Sequence, residues 1–266
     1  MTMLGMNPDS KTVVISPHPD DAVLSCWDVL TRPDTRRVVT VFSGIPDSNA
    51  RLSAWDRLTG ASDPAARASE RREEDRRALA IADCTPTHLD FLGSTHRTDA
   101  LDTAALRAAI RRAVADADVM WIPAAIGGHR DHIAARDAAL DVRGSRTCFL
   151  YADLPYAARF GWPVGHPNLD VKGWLTAQAT GIPGNSLISE EYRTTLLSDS
   201  KWASKIAALK EYRSQFAALR AAAENGFPTG PEWAYEVFWP IQLKSPAIDP
   251  LLDGEGRVVP SPRSTR

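Results

Sequence analysis

Two segments concentrate the residue types that bind cations and move protons. The first is SPHPDDAVLS at residues 16–25, which brings His18, Asp20 and Asp21 together. Adjacent carboxylates beside an imidazole repel each other unless a cation or a shared proton intervenes. The second is GGHRDHIAARDAAL at residues 127–140, with His129, Asp131 and His132. His129 and His132 are three positions apart, so a helix starting nearby turns both to one side. Gly127 and Gly128 let the backbone approach a ligand closely. Taken singly, Asp20 or Asp21 reads as a helix N-cap and the histidines as surface decoration. Two such segments, each placed after an apolar strand, read as a metal site instead. Two histidines and a carboxylate with an open position suit catalytic zinc. The same donors suit non-haem iron(II).

The elements that must position these residues follow from the hydrophobic pattern. Thr12–Ser16 is a short β-branched run ending at Pro17, a buried strand. A helix is expected over Ala22–Leu30 and a second buried strand over Arg37–Ser43. Residues 44–66 read as a long loop with Leu52 and Trp55 as apolar anchors, a length that is often functional. A charged helix follows over Arg67–Ala82, its first half a solvated face. Next come a strand at Thr87–Leu92, a helix at Thr103–Ala115, a strand at Val119–Pro123, a helix at Asp131–Leu140 and a strand at Thr147–Tyr151. That alternation implies an α/β fold, a mostly parallel sheet with helices on both faces. Ligands bind at the carboxyl ends of strands in such sheets, where both segments fall.

Beyond residue 151 the period breaks. Residues 155–198 read as a cap or lid, Lys201–Arg220 as one amphipathic helix and Glu232–Gln242 as a late strand. Residues 1–10 and 246–266 read as tails, leaving a single domain over 11–245. With 266 residues the chain is long enough to bury a core without staples. A formal net charge of -2 gives no reason to expect a nucleic-acid partner. No apolar run reaches the roughly 18 residues of a membrane span. Cys26, Cys84 and Cys148 are odd in number and lack metal-ligand spacing, which fits a reducing cytoplasm. A nucleotide-binding module would need a G-x-G-x-x-G turn after the first strand, and SPHPDD stands there instead.

The two motifs together resemble the LmbE-like, or PIG-L, family of zinc N-deacetylases, which carries (A/S)PHxDD after its first strand and HxDH before a later helix. The resemblance runs from about residue 11 to 158 and includes RREED at 71–75, HLDFLGS at 88–94 and YADLPYA at 151–157. It implies a Rossmann-like three-layer sandwich. It also implies zinc, or iron(II) or another divalent ion, on His18, Asp21 and His132. Asp20 would be the general base, His129 the electrophilic partner of the oxyanion, and Asp131 the group that orients His129 and keeps it protonated. The substrate class implied is an N-acylated, typically N-acetylated, amino sugar or its glycoside. An amidase of larger sugar conjugates and a sugar-binding module without turnover are the alternatives. Arg71, Asp153 and Tyr156 are the candidate substrate contacts. His88, His96 and His166 lack a partner pattern and read as structural. Trp162, Trp174 and Trp233 are core or lid residues that could otherwise stack on a sugar.

Overall fold

The computed structural model describes residues 10–159, 187–188, 193–222, 227 and 230–242. Most of the expected cap at 155–198, with Trp162, His166 and Trp174, lies outside the described residues, as do the tails before residue 10 and at 246–266. The expected parallel sheet is present. Strands β1 (Thr12–Ser16), β2 (Thr35–Thr40), β3 (Thr85–His88), β4 (Val119–Pro123) and β5 (Thr147–Tyr151) are all mutually parallel, in the order β3-β2-β1-β4-β5. Every residue of β1 and β4 is buried, as β-branched and aromatic runs in the middle of a parallel sheet must be. A late strand then closes the β5 edge antiparallel and carries two short neighbours, β6 (Leu187–Ile188) and β7 (Arg193–Leu196), on its far side. This is β8 (Tyr235–Gln242), three residues shorter at its start than the sequence pattern suggests, because a 3-10 turn occupies Pro231–Ala234.

The strand order has one physical consequence for function. The chain runs outward from β1 through β2 to β3, then returns to the other side of β1 with β4. The switch point therefore lies between β1 and β4, and the loops leaving these two adjacent strands diverge around a crevice. Both histidine segments are those loops.

The helices depart from the sequence pattern in three instructive places. The expected helix over 22–30 is two, α1 (Asp21–Ser25) and α2 (Trp27–Leu30), broken at Cys26. The break frees the amides of Trp27 and Asp28 to donate to the carboxylate of Glu236, at 2.6 and 2.8 Å. Glu236 sits on β8 and also pairs with the fully buried Lys205 at 3.0 Å. The long loop at 44–66 contains α3 (Ala54–Leu58), and α4 (Pro64–Ala80) begins earlier than periodicity suggests. Both starts have local causes. Ser53 and Asp56 form a reciprocal capping box on α3. Asp63 caps α4 and Pro64 takes its first position. Finally, the expected helix over 201–220 is α8 (Asp199–Leu209) and α9 (Arg213–Ala222).

The break near Tyr212 serves two carboxylates buried on α4. Glu74 and Asp75 are 1% and 2% exposed, so the first half of the charged helix is not a purely solvated face. Glu74 accepts from Ser214 through both the amide (2.7 Å) and the hydroxyl (2.6 Å). Asp75 accepts from the Tyr212 hydroxyl, from Thr40 and from His88, at 2.8, 2.9 and 2.8 Å. Buried carboxylates without donors would cost several kcal/mol each, so a continuous helix loses to a broken one. His88 is thus structural, as expected. α5 (Thr103–Ala113) packs on α6 (Arg130–Asp141), while α1, α2 and α4 pack on α8, giving the helical layers around the sheet. Trp121 stacks on Phe149 at 4.7 Å in the core, and Trp233 is fully buried. Among the described residues no helix is long and apolar enough to cross a membrane. Cys26, Cys84 and Cys148 are buried and unpaired.

Candidate metal centre and pocket

At the end of β1 the Ser16 hydroxyl donates to the carbonyl of His18 at 2.7 Å and accepts from the Ala22 amide at 3.1 Å, folding SPHPDDA into a tight turn. Asp20 within it has φ +103°, outside the region a non-glycine residue favours. Such strain costs on the order of 1–3 kcal/mol and is held by its surroundings, here by the Leu24 amide on the Asp20 carbonyl at 2.9 Å. Its effect is to send two sequence-adjacent carboxylates to different partners. Asp21 turns back to accept from the His18 amide at 2.9 Å, while Asp20 lies 4.0 Å from the Arg71 guanidinium. Burial, then the charge of Asp21, push Asp20 up to about 8.

Beyond β4 the backbone passes Ala125, Gly127 and Gly128 at positive φ before His129 caps α6. Gly127 is required there: at φ +84° a Cβ would also come within 3.0 Å of the Tyr156 side chain. α7 (Tyr156–Arg159) begins at this tyrosine, whose ring lies 5.2 Å from that of His132 and 6.0 Å from that of His129.

The two loops meet on Asp21. Its Oδ2 lies 3.3 Å from His18 Nδ1 and 3.2 Å from His132 Nε2. Each histidine has its far nitrogen held by another carboxylate. His18 Nε2 is 3.1 Å from Asp131, and His132 Nδ1 is 2.7 Å from Asp153. Carboxylates behind imidazoles fix the ring and raise its basicity toward a metal. His132 Nε2 is fully buried and, among the described residues, has no polar partner beyond its 3.2 Å approach to Asp21, which fits a cation shared between the two. Ring nitrogens of His18, His129 and His132 all come within 4.8 Å of one another. These donors fit a divalent cation: near nitrogens converge on a carboxylate and back nitrogens are anchored. His129 differs from the other two, because no carboxylate stands behind it. Burial opposes ionisation of Asp21, yet the charge of His132 and hydrogen bonds from both histidines hold it well below the usual carboxylate range. Burial also opposes charge on His132, but Asp21 and Asp153 push it up to about 10.

Two expected roles are corrected. Asp131 does not orient His129. Its carboxylate is taken by His18 Nε2, by the Ser94 amide at 2.7 Å and by Arg97 at 3.1 Å. Among the described residues the hydrogen bond to the His129 ring comes from the Asp131 backbone, whose amide approaches His129 Nδ1 at 3.3 Å. With burial and two neighbouring imidazoles against its charge, His129 is pushed down to about 4 rather than kept protonated. Asp153 is no substrate contact either. It is 1% exposed, sits behind His132 and accepts from the Ile126 amide at 3.1 Å.

The crevice opens into a pocket of about 310 Å³. His18, Asp20, Asp21, His129 and Asp131 line its floor, and Arg71 and Tyr156 also line it. Part of its wall comes from the stretch read as loop, and the rest from segments distant in sequence. Trp55 and Asp56 of α3, Arg67 of α4, His96 and Leu219 all border it. His96, read as structural, pairs with Asp56 at 2.9 Å on this wall. Arg97 also escaped the sequence reading. It donates to the Leu92 carbonyl at 2.8 Å as well as to Asp131, and lies 5.4 Å from the Phe42 ring. Neither residue has a local motif that could have revealed it.

Comparison with known proteins agrees with this geometry. Residues 13–143 match the PIG-L family profile, described as GlcNAc-PI de-N-acetylase. The 2'-N-acetylparomamine deacetylase of Streptomyces fradiae is 33% identical over 172 residues, which is 56% of this chain. The match spans 58% of that relative's own length. Among solved structures, a triple mutant of a deacetylase involved in the teicoplanin biosynthetic pathway superposes with a TM-score of 0.71 at 27% identity, covering 88% of this chain and 98% of that one. A deacetylase–teicoplanin complex from the same pathway gives 0.69 at 25% identity, over 87% and 98% of the two chains. The two histidine–carboxylate segments lie inside the residues that match the PIG-L, or LmbE-like, family, and the α/β architecture is similar to that of the teicoplanin-pathway deacetylase.

Proposed function

We propose that this chain is a zinc-dependent deacetylase that hydrolyses the N-acetyl amide of an amino sugar carried on a glycoside, releasing acetate and the free amine. The observation that carries the reading is the pair of anchored imidazoles, His18 and His132, meeting on Asp21 at the floor of the pocket. The similar proteins are a 2'-N-acetylparomamine deacetylase and a deacetylase of the teicoplanin biosynthetic pathway, and this supports the same bond as target.

His18, Asp21 and His132 would hold the cation. A bound zinc, or iron(II) in its place, supplies Lewis acidity that acidifies water and polarises the amide carbonyl. Asp20, on the same floor, takes the proton from the attacking water and returns it to the amide nitrogen as the C–N bond breaks. The backbone amide on His129 Nδ1 leaves that ring's proton on Nε2, so neutral His129 donates a hydrogen bond to the oxygen that gains charge. Arg71 holds the Asp20 side of the floor and reaches toward substrate hydroxyls. Tyr156 closes the side next to His129. The cytosol is the compartment proposed, in line with three unpaired buried cysteines.

The test is acetate release from a panel of N-acetylated amino-sugar glycosides that includes 2'-N-acetylparomamine. Release should depend on metal, stop with a chelator and return with zinc. Absence of release from every panel member by zinc- or iron(II)-reconstituted protein would falsify the proposal.

A further inference from the structure

We infer that Trp55 is the platform on which the sugar ring of the substrate stacks; the inference rests on the amino-sugar reading above and extends it to a specificity-determining residue. Trp55 lines the pocket from α3 and is only partly buried. Trp121 packs on Phe149 and Trp233 on Phe227 at 4.9 Å, while Trp27 and Trp239 are fully buried in the core. Among the described residues no aromatic ring pairs with Trp55. Its one polar atom is nonetheless committed, because Nε1–H donates to Gln215 Oε1 on α9.

That hydrogen bond is the first link of a buried chain. Gln215 is fully buried and donates from Nε2 to the Ser214 hydroxyl at 2.8 Å, and Ser214 in turn donates to Glu74 of α4. The N-terminal turn of α3 that carries Trp55 is equally fixed. Asp56 closes the capping box on Ser53 and accepts from or pairs with His96. A side chain this constrained, on a helix of five residues, loses little further entropy when something settles on it.

What settles there is set by the chemistry of the surface. An indole face is electron-rich and apolar. A pyranose ring presents a patch of slightly positive C–H bonds on one face and hydroxyls around its rim. The face suits the indole, and the rim finds Arg71 and His96 on the same pocket lining. An acyclic N-acetylated amine has no such face.

The inference is tested by calorimetric binding to metal-loaded protein carrying Asp20→Ala, so that the amide is not consumed. The probes are methyl 2-acetamido-2-deoxy-β-glucopyranoside, 2'-N-acetylparomamine and acyclic N-acetylethanolamine. Adding Trp55→Ala should weaken the two pyranosides roughly tenfold and leave the acyclic probe within about twofold. Trp55→Phe keeps a ring and should stay within about threefold. If Trp55→Ala does not fold, Trp55→Leu keeps apolar bulk without a π face and should show the tenfold loss. Unchanged pyranoside binding, equal loss for all three probes, or no binding of either pyranoside before Trp55 is altered each overturns the platform. Acetate release by the unsubstituted protein is scored separately. Release with Trp55-independent binding sinks the platform alone, and Trp55-dependent binding without release sinks the hydrolase alone.

Discussion

The floor and the wall of the pocket are built by different rules. The floor comes from two loops that leave adjacent parallel strands, and each loop carries its chemistry within a few residues: His18, Asp20 and Asp21 in one, His129 and Asp131 in the other. The wall comes from α3, the start of α4, residues 93–97 and α9, segments that meet only because buried polar groups tie them together. The floor is dictated by sheet topology and tolerates little. The wall is an assembly of side-chain bonds that another sequence could replace. Reaction type therefore belongs to the floor and substrate choice to the wall.

That division breaks most sharply at Asp20. Asp20→Ala should retain metal and lower turnover by roughly 10²–10⁴-fold. Metal content by elemental analysis alongside acetate release reads both, and substantial residual turnover would remove Asp20 from proton transfer. The next largest effect is expected behind the floor. Asp153→Ala and Asp131→Ala each remove the carboxylate anchoring one histidine and should weaken metal affinity about 10–100-fold. Competitive metal titration measures this, and affinity unchanged in both variants would contradict the convergence on Asp21.

The wall should respond in a different currency. Ser53→Ala opens the capping box and should cost about 1 kcal/mol of stability by denaturant melt. It should also raise KM for a glycoside a few-fold while kcat holds; a fall in kcat alone would mean that α3 serves the floor after all. Smallest in function is Tyr212→Phe, which removes one donor from buried Asp75. It should cost about 1–3 kcal/mol of stability and leave both kinetic constants within twofold.

Legibility in the sequence follows the same line. The two histidine–carboxylate segments were readable as one cluster because the order of β-runs placed both at one sheet edge, while the choice of His18, Asp21 and His132 among them came from the family resemblance. The parallel sheet was readable because β1 and β4 have apolar centres with no exposed alternation, and both are buried throughout. Helix boundaries failed where a distant group decided them. Cys26 interrupts a helix because Glu236 needs the two amides that follow, and the chain bends at Tyr212 because Glu74 and Asp75 need donors. The role of Asp131 was misread for a similar reason. Proximity to His129 in sequence suggested a pair, but the carboxylate crosses 113 positions to His18.

By itself, then, the sequence determined the sheet, the two turns and the donor types they carry, because backbone sterics and burial act over a few residues. Only the tertiary structure decided which carboxylate stands behind which imidazole and which ring lines the pocket. Those choices are settled by hydrogen-bond demand between residues brought together in space, and no local pattern records them.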